Sequence, residues 1–402
     1  MLGKTDVAVI GGGASGIAAA IFAARGGADV YICERLPRVG KKILAAGNGR
    51  CNLSNAHLSP ERYRGDIGFV SHALNLFGLS EMFDFFESVG LPCTELENGK
   101  LFPQSLQASS VLDLLRAECE RLKIKEITDF FVTSIKKENG GFRIVSEDDE
   151  IFAKKVIVAC GGMASPKFGT DGNGYNLLKK FGHTVSELHP ALLQIKTEKP
   201  RKALKGIKHV GKATLICGGR KIKSSEGELL FTDYGLSGPP VFNLSGDAAL
   251  ALSRGEKAEI SLDLLPQTDF RGLLEQMEKR VLKFSHLSEE NFLNGVLPKK
   301  LGYEIRRSES TARGMTRLMK DFRFTVSGTT GFANAQVTSG GVNTDEIDNG
   351  TMMSKKVKNL YITGEIMNVD GDCGGFNLQW AWASALTAAE AMLRENDGIL
   401  GR

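Results

Sequence analysis

An apolar run at residues 7–10, Val-Ala-Val-Ile, stops at glycine, and Gly11, Gly13 and Gly16 then follow as G-x-G-x-x-G. This pattern leaves the backbone little choice. The first glycine permits a tight turn, the second lets a pyrophosphate approach the main chain, and the third lets a helix pack closely on the strand. Ala14 and Ser15 stand within this turn, and residues 17–25, alanine-rich and free of proline, should continue as a helix that ends at Gly26-Gly27. Its free N-terminal amides and dipole favour phosphate. A second apolar strand over residues 29–33 delivers Glu34, whose carboxylate can accept hydrogen bonds from ribose hydroxyls. The stretch 6–34 therefore predicts a βαβ unit that binds an adenosine diphosphate moiety. A carboxylate at that place repels a ribose phosphate, which leaves NAD or FAD rather than NADP.

The 402 residues, 42% of them hydrophobic, suffice for two or three domains with real cores. No run reaches the length of a membrane span, and the apolar N-terminus is accounted for by the first strand, so a cytoplasmic protein is expected. Seven cysteines without a C-x-x-C pair argue against a disulfide framework, a structural zinc site and a dithiol centre. No metal ligands are assigned.

Past Glu34 and Arg35, residues 38–55 lack periodicity of either kind and carry Lys41, Lys42 and Arg50 among glycines. Such a segment leaving a doubly wound sheet is placed to follow a cofactor beyond its pyrophosphate, which nominates Lys42, Gly49, Arg50, Cys51 and Asn52. Helices are expected over 80–89 and, from a capping box at Ser110 and Asp113, beyond it. Residues 124–159 read as a β-meander, with Val132 in its second strand, ending in a buried strand that runs into Cys160-Gly161-Gly162. Between residues 196 and 223 ten Lys/Arg face one Glu, a cluster able to receive an anionic substrate or a nucleic-acid backbone, or simply a solvated β-surface. Residues 227–246 place Tyr234 and Ser237 among glycines and prolines, read as an irregular pocket wall. Residues 270–317 are mostly helical, with a break at Pro298.

The C-terminal part returns to strand and glycine. A buried strand over 360–363 ends in Gly364-Glu365, and Gly374, Gly375, Phe376, Asn377 and Leu378 open an alanine-rich helix. A second helix N-terminus pointing into the site would favour the negative charge that develops on a reduced flavin. FAD, held without a covalent tether, is thus preferred over NAD.

Seven segments resemble a bacterial flavoprotein family whose members are called BaiN-like or HI0933-like and include aminoacetone oxidase-like proteins. They are GGGASG (11–16), GKKILAAGNGRCN (40–52), FPQSLQASSVLDLL (102–115), CGGMASPKFGTDGNGY (160–175), LFTDYGLSGP (230–239), AQVTSGGV (335–342) and TGEIMNVDGDCGGFNLQWAW (363–382). The resemblance implies a Rossmann-like FAD domain discontinuous over 1–190 and 331–402. A β-barrel-like insertion (191–265 and 320–330) and a small helical domain (266–319) would interrupt it. Cys160 and Asp372-Cys373 depart from the family pattern close to the expected ring. The activities implied are reduction of a carbon–carbon double bond conjugated to a ketone in an oxo-bile-acid, with NADH or NADPH as a transient donor, and oxidation of a small amine. A flavoprotein that binds or modifies nucleic acid through 196–223 is a third reading. A small-molecule substrate, lying between the FAD domain and the insertions, is the expected partner, with Tyr234 and Ser237 as its contacts and Tyr234 as the candidate catalytic residue.

Overall fold

The computed structural model describes residues 2–396. In chain order its main elements are β1 (Gly3–Ile10), α1 (Ala14–Arg25), β2 (Val30–Cys33), α2 (Ala108–Arg121), β3 (Lys125–Ile127), β4 (Ser134–Glu138), β5 (Gly141–Val145), β6 (Glu150–Val158) and α3 (Asn173–Lys179). An excursion follows with β7 (Ile195–Thr197), β8 (Lys208–Cys217), β9 (Arg220–Phe231), β10 (Gly235–Ser237), α4 (Pro239–Ser253), β11 (Ala258–Asp263), α5 (Phe270–Lys283), α6 (Lys299–Ser308), α7 (Ala312–Lys320) and β12 (Phe322–Thr329). The chain returns through β13 (Leu360–Ile362) to α8 (Phe376–Asn396). Two compact units result, residues 1–188 with 337–402, and residues 189–336.

The first unit is a Rossmann-type α/β fold. Its sheet runs β3-β2-β1-β6-β5-β4, and β13 also pairs with β6. β3, β2, β1, β6 and β13 are mutually parallel. The long β6 pairs antiparallel with β5 over Glu150–Ala153 and parallel with β13 over Val156–Val158, both on the edge away from β1. Val7, Ala8, Val9 and Ile10 are buried on both faces, as a continuous apolar run requires, and α1 and α8 pack together over the sheet. The meander is shorter than expected. Residues 125–127 pair parallel with β2 as an edge strand, because only β4, β5 and β6 have the tight turns that an antiparallel ladder needs. The capping box at Ser110 is also absent. α2 starts two residues earlier, and the Ser110 hydroxyl accepts from Ser105.

The second unit is a closed six-stranded antiparallel barrel, β7-β10-β9-β8-β11-β12, which closes between β12 and β7. Leu215, Leu229, Phe231, Leu236, Ile260 and Phe324 fill it, and the same core continues into Leu273, Met277, Ile305, Met315 and Met319 of α5, α6 and α7. Barrel and helices thus share one apolar core. The segment around Tyr234 is more regular than its glycines and prolines suggest. Residues 235–237 form β10, and Pro239 and Pro240 occupy the first turn of α4, where a missing N–H costs nothing. Gly235 (φ +154°) is required there because a Cβ would lie 2.2 Å from the Ile195 carbonyl oxygen.

Candidate functional site: a nucleotide cradle at the carboxyl edge of the sheet

Parallel register brings the C-terminal ends of the central strands to one edge. The Gly11 N–H donates to the Cys33 carbonyl (2.8 Å), Ala159 to Ile10 (2.9 Å), Glu34 to Ile127 (2.9 Å) and Thr363 to Val158 (3.1 Å). Gly11, Glu34, Cys160 and Gly364, far apart in sequence, therefore leave the sheet side by side. This is where ligands of open α/β sheets bind.

The glycines of the first turn have different duties. A Cβ on Gly16 would sit 1.9 Å from the Gly11 carbonyl oxygen, so that position is forced by packing. A Cβ on Gly13 would meet nothing within 4 Å: the space in front of it is open, as a cradle for pyrophosphate must be. Gly13 caps α1 without a side-chain hydrogen bond, so the amides of Ala14, Ser15 and Gly16 have no intrahelical acceptor. The Ser15 hydroxyl itself is buried and donates to Thr363 Oγ1 (2.7 Å), tying α1 to the end of β13.

Glu34 is buried, and its carboxylate accepts from the Gly12 N–H through Oε2 and the Leu36 N–H through Oε1, both at 2.8 Å. Burial raises its pKa, and these two bonds and Arg35 only partly oppose it. Arg35 lies over the Phe131 ring (4.5 Å) and pairs with Asp171 at 2.5 Å. Asp171 is a member of this corner that sequence reading passed over; its signal was the glycine-rich 169–174 run. Val132 is buried, and its carbonyl accepts from Asn173 Nδ2 (2.8 Å). The Cys160 thiol packs toward the Ile10 carbonyl (3.4 Å), and burial pushes its pKa up to about 12.

The far end of the cradle is built from residues 47–55 and the start of α8. Gly47 (φ +56°) and Cys51 (φ +59°) turn the first segment back on itself, and Cys51 N–H donates to the Ala46 carbonyl. Beyond Gly49, Arg50 is exposed over Phe102 (4.8 Å). α8 is pinned from several sides: Ser54 donates to Gln379 Oε1 (2.7 Å), Trp382 Nε1 to the Leu53 carbonyl (3.0 Å) and Tyr63 to the Phe376 carbonyl (2.9 Å). Asn55 Nδ2 donates to the Gly374 carbonyl (2.9 Å), a role missed because nothing marks one asparagine in CNLSN from another. Gly375 (φ +106°) admits no side chain, since a Cβ would lie 2.2 Å from the Ser54 carbonyl oxygen and 2.9 Å from Asn52 Oδ1. That Asn52 oxygen is buried without a hydrogen-bond partner among the described residues, next to Gly375 at the start of α8. The Asn377 side chain is engaged locally, accepting from Gly371 N and donating to Gly371 O, both at 2.8 Å.

Between the two ends, Lys42 Nζ pairs with Glu365 Oε2 (2.7 Å), while Glu365 Oε1 accepts from the Thr338 N–H. Thr338 Oγ1 accepts from Met163 and Ala164 N–H, and a Cβ on Gly162 would strike it at 2.3 Å. Lys42, Gly161-Gly162, Gly364 and Glu365 thus meet at one place. An open cradle, the α1 start without a side-chain cap and a buried amide oxygen with no partner among the described residues fit an extended dinucleotide.

In the second unit Tyr234 is exposed and its carbonyl accepts from Thr197 N–H, whereas Ser237 is buried in β10. The basic stretch is partly neutralised by carboxylates outside it: Lys205 pairs with Asp233 (2.6 Å), Lys208 with Glu228 (2.9 Å), Lys212 with Glu226 (3.4 Å) and Arg201 with Glu304 (2.5 Å). Antiparallel pairing of β8 with β9 puts Lys212 opposite Glu226, and Lys208 reaches Glu228 diagonally. No helix among the described residues is long and apolar enough to cross a membrane.

Comparison with known proteins agrees with this architecture. The chain is 40% identical over 402 residues to a 3-dehydro-bile acid delta(4,6)-reductase of Clostridium scindens, covering 96% of this chain and 98% of the relative. It is 30% identical over 405 residues to the ribosomal RNA dihydrouridine synthase of Escherichia coli, covering 97% and 98%. Among solved structures, a 3-ketosteroid-delta4-(5alpha)-dehydrogenase of Rhodococcus jostii shares the fold, with a TM-score of 0.54, 15% identity and 97% coverage of both chains. The HI0933-like protein Rossmann domain matches residues 5–391. The chain is an oxidoreductase with a flavoprotein-type Rossmann fold, and it belongs to the HI0933-like family.

Proposed function

We propose that the protein uses non-covalently held FAD to reduce a carbon–carbon double bond conjugated to a carbonyl, in a steroid-like oxo compound, with NADH or NADPH as the electron donor. The observation that carries this reading is the near-full-length 40% identity to a 3-dehydro-bile acid delta(4,6)-reductase in a chain whose cradle fits a dinucleotide. Bound FAD supplies the two-electron chemistry. The chain's residues supply the rest. Glu34 holds the adenosine ribose, and the Ala14–Gly16 amides hold the pyrophosphate. The α8 amides, with their positive dipole end, stabilise negative charge at the ring, and Asn52 Oδ1 accepts a hydrogen bond there. The reaction balances as hydride to the carbon β to the carbonyl and a proton to the α carbon, the nicotinamide being oxidised. A phenol is a competent proton donor for that second addition, and we assign the role to Tyr234.

A second reading has its own support. Uridine carries a double bond conjugated to a ring carbonyl, the same chemical unit, and the chain matches a ribosomal RNA dihydrouridine synthase over almost all its length at 30% identity. One pair of experiments tests both. Anaerobic titration of the yellow holoprotein with NADH and with NADPH should bleach the flavin. The reduced protein should then be reoxidised by a 3-oxo-4,6-diene bile acid or by unmodified ribosomal RNA, with a gain of two hydrogens measured by mass spectrometry. Reoxidation by neither would sink both readings.

A further inference from the structure

We propose that Arg50, with Lys100 beside it, forms a carboxylate subsite at the far end of the cradle, so that the substrate is an oxo acid rather than a neutral ketone. The inference rests on the reading above of an enzyme that reduces a conjugated double bond, and it narrows the substrate class. Its first support is charge balance. Arg35 at the adenosine corner pairs with Asp171 (2.5 Å) and Lys42 at the centre with Glu365 (2.7 Å). Arg64 and Arg62, beside the segment leading into α8, pair with Asp370 (2.8 Å) and Asp372 (3.7 Å). Of this set only Arg50 has no carboxylate partner among the described residues, and it is exposed. FAD carries its negative charge on the pyrophosphate, which belongs at the α1 end, and its oxidised ring is neutral. An anion for Arg50 must therefore come from a second molecule.

The second support is how firmly the guanidinium is held. Gly49 (φ +81°) and Cys51 (φ +59°) flank Arg50, whose N–H donates to the Gly47 carbonyl (3.3 Å), so its backbone is closed in a turn. The guanidinium lies over the buried Phe102 ring, 4.8 Å from its centroid. That contact covers one side of the group, and its N–H donors have no acceptor among the described residues, which suits the two oxygens of a carboxylate. The place is continuous with the start of α8. A Cβ on Gly47 would lie 3.2 Å from Phe102 Cε1 and 2.7 Å from Asn52 N, and Asn52 Oδ1 adjoins Gly375. A Cβ on Gly49 would meet nothing nearer than 4.0 Å, so there is room beside the arginine. Lys100 stands on the same face of the short strand Lys100–Pro103 as Phe102 and also lacks an ion-pair partner among the described residues. Burial pushes the Cys373 thiol up to about 11 and Lys100 pulls against it, which sets this second cation toward the segment entering α8.

The test uses the FAD-loaded full chain, NADH and NADPH, and two substrates that differ only in charge, a 3-oxo-4,6-diene bile acid and its methyl ester. The parent should prefer the acid by about 10- to 100-fold in kcat/KM, the range of a charge-assisted pair, and the preference should shrink between about 50 and 500 mM salt. Arg50→Gln should bring the preference to within about threefold by raising the KM of the acid, and Arg50→Lys should keep part of it. Titration of the oxidised protein with each compound, read by the shift of the flavin absorption band, should give the same ratio in Kd. Equal use of acid and ester by the parent overturns the subsite while leaving the reductase reading intact, as does a preference that survives Arg50→Gln. Loss of FAD from Arg50→Gln would make the residue a cofactor ligand and overturns the assignment. So does a variant whose KM rises for NADPH and not for NADH, since a nucleotide phosphate would then be the anion. Reduction of neither compound by the parent overturns the reading and the subsite together.

Discussion

His183 should make the nucleotide-binding unit acid-sensitive below neutral pH. The ring is buried between Glu346 (Nδ1 to Oε2, 3.0 Å) and Ser354 (Nε2 to Oγ, 2.8 Å). Ser354 Oγ already accepts from Lys356 N–H (3.1 Å) and Val357 N–H (3.0 Å), so its own proton must go to Nε2, and the Nδ1 proton to Glu346. The order is that of a hydrolytic triad, but Ser354 is 2% exposed and its lone pairs are committed, so the group is a clasp. It joins the residues after α3 to the segment that leads into β13 and thence to Gly364 and Glu365. Burial, the largest influence, holds the imidazole below its ordinary value against the opposing pull of Glu346. The unfolded chain therefore takes up this proton first. Stability present above about pH 6.5 is lost as pH falls, by at most about 1.4 kcal/mol for each unit below that value. Glu346 acts lower. Burial raises it, but Lys356, Thr184 and His183 together outweigh that and bring it to about 2, so its contribution is lost only below about pH 4.5. Replacing Ser354 by alanine strands the imidazole nitrogen and two backbone donors, a cost of about 3 kcal/mol at neutral pH. It should also flatten the decline between pH 7.5 and 5.5, because Nε2 is then free to protonate beside Glu346. Urea unfolding followed by fluorescence of Trp380 and Trp382, both buried in this unit, reads both effects. A variant as stable as the parent, or a parent whose stability does not fall between pH 7.5 and 5.5, would refute the reasoning.

The two fingerprint glycines should separate by phenotype. Gly13→Val should keep the parent's melting temperature but lose FAD affinity by about 100-fold or more, whereas Gly16→Val should fail to fold stably, since its Cβ falls 1.9 Å from a carbonyl oxygen; equilibrium dialysis and calorimetry distinguish them, and identical behaviour would contradict the division of duties. Cys33, Cys51 and Cys119, each pushed by burial to about 12, should resist iodoacetamide at pH 8 until urea is added, as mass spectrometry of tryptic peptides would report. Tyr234→Phe should retain FAD and stability while turnover falls by about 10² or more; unchanged turnover would remove Tyr234 from the chemistry.

The nucleotide-binding half was legible in the chain because its rules are local. A turn that needs positive φ at Gly11, an apolar run that must be buried on both faces, and an acid one strand later are all written within residues 6–34. The glycines around 47, 162 and 375 announced close approach for the same reason: only their lack of Cβ tolerates the carbonyls and side chains that press on them. What the close approach served was decided by long-range pairing. β13 joins β6 and α8 docks on residues 53–55, and only then do Glu365 and Lys42, or Asn52 and Gly375, become neighbours. Charge followed the same logic. The partners of Arg201, Lys205, Lys208 and Lys212 all lie outside the 196–223 cluster, at Glu304, Asp233, Glu228 and Glu226, and only the folded register brings them into reach. Local conformation is a property of neighbouring residues, so it can be read along the chain. Charge compensation and site assembly depend on which distant segments share a register, and that is settled only when apolar faces find one another in the folded core.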